Sequence, residues 1–199
     1  TVLDALGIRS SDTVFAYAGI IGHAQGLEVV LHAADRLKHR ADIHFLLIGD
    51  GPELGNLKEL AGRLAVQRVH FVQKMPRAAL IGLLREVSGV VVPLRRNDLF
   101  KGAIPSKIFE ALALSKPLLL GVEGEAKALF IDEGQAGLAF IPEDADDLAR
   151  KAEQLADAPA LMHAHGANGA QYARQAFDRE RISARLWEEL LRITGTKVP

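Results

Sequence analysis

Lys107 and Glu110 stand three residues apart in the stretch KGAIPSKIFEALALSKPLLLG (101–121), and their types and spacing suit a charged ligand. Side chains at i and i+3 share a helix face. Pro105, Ser106 and Lys107 read as a first helical turn, because the missing proline N–H costs nothing at that position. A cation and a carboxylate at a helix N-terminus, where unpaired N–H groups and the macrodipole favour anions, fit a diphosphate and a ribose. The plainer alternative is an i,i+3 ion pair on a solvated helix. Gly19, Gly22 and Gly26 in GIIGHAQG would let backbone approach a phosphate, although a tight turn uses the same residues. Arg95, Arg96, Asp98 and Lys101 gather within 94–104, which suggests either an anionic ligand or a solvated loop.

These residues need elements to hold them. Apolar runs at 13–19, 43–49, 69–72, 89–93, 118–122 and 136–141 read as strands. Helical segments are expected at 26–39, 53–65, 77–86, 105–114 and 125–133. Near-continuous apolar strands alternating with helices predict an α/β fold, a doubly wound, Rossmann-like parallel sheet covered on both faces. In such a sheet ligands bind beyond the carboxyl ends of the strands, where the glycine loop and the 94–104 segment would lie. Three helices follow, at 144–157, 159–175 and 178–193. The last carries Ile182, Leu186, Leu190 and Ile193 at helical spacing, which reads as a packing face.

Composition narrows the chemistry. The 199 residues carry 24 Lys plus Arg against 25 Asp plus Glu, with no cysteine. The absence of a basic excess argues against nucleic acid as a partner. The absence of thiols removes disulfide frameworks, thiolate zinc sites and cysteine nucleophiles. Among the seven histidines, His163 and His165 point apart on a helix, and His32 and His39 fall at exposed positions, so no metal site emerges. The glycine spacing is not G-x-G-x-x-G, and Asp50 in GDGP reads as a turn residue. No run reaches membrane-spanning length and no leader is visible. The chain opens without Met, so an excised domain is expected.

Six segments, in order, carry a family resemblance: YAGIIGHAQGLEVVLHAA (17–34), HFLLIGDGPE (44–53), VHFVQKMPRAALIGLL (69–84), VVVPL (90–94), PSKIFEALALSKPLLL (105–120) and EGEAKALFIDEGQAGLAFIPEDADDLARKAEQL (123–155). Together they resemble the carboxyl-terminal, donor-binding domain of GT-B glycosyltransferases of the retaining, group 1 type. The Q-G-L-E and K-G-A-I-P-S-K stretches look like those of bacterial aminosugar and N-acetylfucosamine transferases of surface polysaccharide.

The resemblance implies that Glu110 binds the ribose hydroxyls and that Lys107, beside Ser106, lies near the diphosphate. It also implies that backbone from Phe71 through Val72 to Lys74 faces the nucleobase. Gly22, next to Gly19, would sit against the phosphates, and the segment from Glu123 through Gly124 and Glu125 to Ala126 would approach the sugar or diphosphate. Two departures stand out. The family's other glutamate, eight residues before Glu110, is Gly102 here, and its first-loop arginine and lysine are Ile20 and Gln25. Phosphate charge is therefore expected from Lys107, with Lys101 or Arg95. The implied reaction is metal-independent transfer of a sugar, N-acetylated in the subgroup, from a nucleoside diphosphate sugar, with a UDP-sugar as the first expectation. The recipient would be a lipopolysaccharide or other glycan or lipid-linked acceptor held by a missing amino-terminal domain, in the cytoplasm at the inner face of the membrane. Two alternatives stay open: a sugar-nucleotide epimerase of the same architecture, and a non-catalytic nucleotide-binding module. The whole of 1–199 reads as one donor-binding domain.

Overall fold

The computed structural model of the protein describes residues 1–194. Its strands are β1 (Thr13–Ala18), β2 (Ile43–Ile48), β3 (Val69–Val72), β4 (Gly89–Pro93), β5 (Leu118–Gly121) and β6 (Gly137–Ala139). They form one parallel sheet in the order β3-β2-β1-β4-β5-β6. The α-helices are α1 (Val2–Ala5), α2 (Glu28–Arg36), α3 (Leu54–Leu64), α4 (Arg77–Glu86), α5 (Lys107–Ala113), α6 (Glu125–Lys127), α7 (Ala145–Ala156), α8 (Pro159–Ala176) and α9 (Arg179–Thr194).

Strand side chains alternate between two cores, which is why the runs are apolar throughout. Phe15, Tyr17, Phe45, Leu47, Val91 and Leu119 pack with α2, α3 and α7. On the other face Val14, Ala16, Leu46 and Ile48 meet Leu83 and Leu84 of α4, and Val90, Val92, Leu118 and Leu120 meet Ile108 and Leu112 of α5. Ile108, Ala111 and Leu112 are the buried positions of α5, the i, i+3, i+4 stripe of a helix lying on a sheet.

Strand order reverses between β1 and β4. Their register covers only Phe15 with Gly89 and Ala16 with Val90, whereas β1 and β2 stay paired to Ala18 and Ile48 and β4 and β5 to Pro93 and Gly121. The sheet thus opens toward its carboxyl edge at the reversal, where doubly wound sheets place ligands.

Several expected boundaries move. A short 3-10 turn, His23–Gln25, precedes α2, and α2 stops at Arg36 rather than 39. There the chain turns so that Arg40 reaches Asp42 and Asp157. The helix expected over 125–133 begins as α6 and widens into a π-helix, Ala128–Glu133, that buries Phe130. The apolar stripe of α9 stays largely uncovered: Ile182, Leu186, Leu190 and Ile193 are 47, 59, 45 and 73% exposed.

Candidate functional site

The carboxyl edge of β1 and β2 is built from two loops locked backbone to backbone. Gly19 N–H donates to the Ile48 carbonyl (2.9 Å), Ile21 N–H to the Asp50 carbonyl (2.9 Å) and Glu53 N–H to the Ile21 carbonyl (3.1 Å). A Cβ on Gly49 would collide with the Gly19 carbonyl, and one on Gly51 with the Ile21 carbonyl, so these two glycines permit the close approach. Asp50 behaves as the turn residue expected, its Oδ1 accepting from Gly51 N–H at 2.8 Å. Over this edge lies a cleft of about 420 Å³ bounded by Gly19, Gly49, Asp50, Lys74, Met75 and Leu80. Leu80 also lines a second groove of about 270 Å³ between α4 and α5, with Arg77, Phe109 and Glu110 among its other residues.

Lys107 enters from the N-terminus of α5. It makes no ion pair with Glu110 within 4 Å among the described residues. Its Nζ instead lies 4.9 Å from the centroid of the Tyr17 ring, and its end packs over Gly19 at the exit of β1. Burial lowers the Lys107 pKa from that of a free lysine, against an opposing pull from Glu110. The ammonium is thus half-buried, desolvated and without a carboxylate partner. Glu110, one turn on, is exposed at the groove.

The cations after β4 are committed elsewhere. Arg95 contacts Glu28 (2.6 Å) and Glu143 (3.1 Å), and its Nε donates to the His23 carbonyl at 2.7 Å. It ties the 3-10 turn to the β6–α7 loop. Arg96 lies 3.9 Å from Glu123 and Lys101 lies 2.7 Å from Asp98. The clustered charges that suggested an anion are largely answered within the chain, so Arg95 and Lys101 are not free in the way expected of phosphate ligands.

Other expected residues divide similarly. Gly22 N–H is already accepted by Gln25 Oε1 at 3.2 Å, which leaves Gly22 no free donor for a phosphate. Phe71 and Val72 are half-buried at the end of β3, and Lys74 reaches the cleft. Ser106 is exposed at the N-cap of α5 without a side-chain cap. Gly124 packs on the Lys101 carbonyl with φ of 78°, and Glu125 N–H donates to that carbonyl at 2.8 Å. Ala126 is a core residue with no exposure, so only its backbone is near this loop. Among the described residues no group of three or more His, Asp or Glu is placed to hold a metal ion.

Sequence reasoning missed Tyr17 and the α4 side of the groove, Arg77 and Leu80. Tyr17 sits in an apolar strand and carries no local signal of its role. Leu80 and Arg77 lie one turn apart on a helix that sequence places but cannot dock.

Comparison with known proteins finds relatives and structural neighbours of this fold. Alpha-D-kanosaminyltransferase of Streptomyces kanamyceticus is 29% identical over 160 residues, 79% of this chain and 40% of that protein. The Escherichia coli protein named "Putative colanic acid biosynthesis glycosyl transferase WcaI" is 25% identical over 179 residues, 89% of this chain and 42% of that protein. The chain therefore spans about two fifths of the length of these curated relatives. Among solved structures, Anabaena Alr3699/HepE in complex with UDP superposes with a TM-score of 0.81 at 20% identity, covering 95% of this chain and 51% of that one. The sequence profile described as "Glycosyl transferases group 1" matches residues 3–172, and by that match, over a GT-B type sheet with its cleft at the carboxyl edge of β1 and β2, the chain belongs to the glycosyl transferases group 1 family.

Proposed function

We propose that this chain is the donor-binding half of a retaining glycosyltransferase that takes a UDP-sugar, without a metal, and passes the sugar to a surface glycan. The observation that carries the reading is the Lys107 ammonium, half-buried over the end of β1 with no carboxylate partner. A desolvated, fixed cation is effective where negative charge develops, because it needs no reorganisation as the reaction proceeds. The departing group would be the diphosphate, stabilised by Lys107, while Glu110 accepts hydrogen bonds from the ribose hydroxyls. In the transfer, the bond from the anomeric carbon to the phosphate oxygen breaks and the bond to the acceptor oxygen forms on the same face. The acceptor proton passes to the departing phosphate oxygen. The acceptor would be held by a further domain. The name of the colanic acid relative supports a polysaccharide acceptor, and the UDP complex of the structural neighbour supports uracil as the base.

Calorimetric titration of the chain with UDP, GDP, ADP and TDP, each beside its nucleoside, tests this. UDP should bind saturably. Lys107→Ala should weaken UDP about tenfold or more and leave uridine within twofold, the scale expected for one charge-assisted contact. Glu110→Ala should weaken UDP and uridine alike while leaving inorganic pyrophosphate unchanged. Equal loss of UDP and uridine in Lys107→Ala would remove the phosphate role. Conversion of a UDP-sugar by the full-length protein with no acceptor present would replace transfer with epimerisation.

A further inference from the structure

We infer that Tyr17 is a positioning residue of the donor site, its ring holding the Lys107 ammonium in place and its hydroxyl fixing the loop after β1. The inference rests on the phosphate reading of Lys107. Tyr17 is fully buried in the core on the α2 side, in the part of β1 beyond its pairing with β4. Its ring centroid lies 4.9 Å from Lys107 Nζ, and its O–H donates to the Ile20 carbonyl at 2.6 Å.

The two contacts do different things. An ammonium that has lost part of its hydration needs a compensating field. A carboxylate would neutralise it and compete with the ligand, whereas the face of an aromatic ring attracts it and leaves its charge available. The hydroxyl acts on the peptide joining Ile20 to Ile21. That peptide's carbonyl accepts from Tyr17, and its N–H donates to the Asp50 carbonyl at 2.9 Å, so it is fixed at both ends. An oxygen engaged with a buried hydroxyl is held away from incoming phosphate oxygens. One side chain thus keeps a cation facing the ligand and a carbonyl turned from it.

The test is titration of the chain with UDP and uridine in a double-mutant cycle, with an NMR measurement on the unaltered protein. Tyr17→Leu should weaken UDP roughly tenfold, between the sizes expected of an exposed and a fully desolvated cation–aromatic contact, and leave uridine unchanged. In a Lys107→Ala background the same substitution should cost UDP only the few-fold that the hydroxyl supplies, because the ring and the ammonium are coupled and their losses are not additive. Tyr17→Phe, which keeps the ring, should retain most of the Lys107 effect and lose a few-fold in UDP affinity. The ε-methylene protons of Lys107, identified by their loss in Lys107→Ala, should be shifted upfield by the ring; that reading does not depend on whether Tyr17→Leu folds. Equal losses in both backgrounds, parallel losses of UDP and uridine, or Lys107 protons at ordinary positions would overturn the inference while leaving the phosphate reading intact. A wild-type chain that binds UDP no better than uridine would overturn both.

Discussion

His44 and His70 sit on neighbouring strands at the amino edge of the sheet, away from the cleft. Their rings stack at 5.3 Å and His44 Nδ1 lies 3.0 Å from His70 Nε2. Asp12, held by Arg9 at 2.8 Å, lies 3.4 Å from His44 Nε2. Burial pushes the His70 pKa down to about 4, helped by the charges of His44 and Arg68, and burial lowers His44 as well, against the pull of Asp12. The unfolded chain binds a proton at His70 near pH 6.5 and the folded chain only near 4, and His44 shifts in the same direction. Stability from His70 is therefore complete above about pH 6.5 and lost as pH falls toward 4. Urea melts should show stability about 2 kcal/mol lower at pH 5 than at pH 7.5, and the difference should shrink in His70→Leu. An unchanged difference in that variant would place the acid sensitivity elsewhere.

At the scale of elements, the interlocked loops after β1 and β2 set the floor of the cleft. Because a Cβ at Gly49 would strike the Gly19 carbonyl, Gly49→Ala must separate two backbones. It should cost about 2 kcal/mol or more in denaturant melts and weaken UDP binding with it. Gly102 has nothing within 4 Å of a built Cβ, so Gly102→Ala should leave the melt within about 0.5 kcal/mol. If both substitutions were neutral, the tight packing of the loops would be wrong. Helix α5 is held from outside by aromatic rings, with Phe109 5.5 Å from Phe130 and 5.2 Å from Phe177. That packing fixes the helix from which Lys107 and Glu110 project. Lys116 fastens the end of α4, donating to the Arg85 and Val87 carbonyls at 2.7 Å each, which sets the other wall of the groove.

For the whole molecule, α9 adds length without adding core. It buries none of its residues, while α8 ends on the aromatic cluster through Tyr172 and Phe177. No helix among the described residues is long and apolar enough to cross a membrane. Deleting α9 with the residues that follow it should leave the melting temperature within about 2 °C and UDP affinity unchanged, since a helix that buries none of its residues contributes little to global stability. A large fall in melting temperature would show that α9 packs on the domain in solution.

What the sequence determined by itself was whatever depends on neighbours along the chain. The bounds of β3, α4 and β4 are as expected at 69–72, 77–86 and 89–93, because Pro76, Gly89 and Pro93 mark them and apolar spacing fills them. The alternation of buried strands with helices was enough for the sheet class, and Lys107 and Glu110 stood out because a helix start makes i,i+3 spacing meaningful. What the tertiary structure alone decided was pairing across distance. Lys107 could equally have met Glu110 in water, and only the docking of α5 beside the opened end of β1 sets it over Tyr17. Arg95 looked free until folding brought Glu28 and Glu143 to it. Periodicity is a local property of the chain, whereas which charges find partners depends on the elements that the topology makes adjacent.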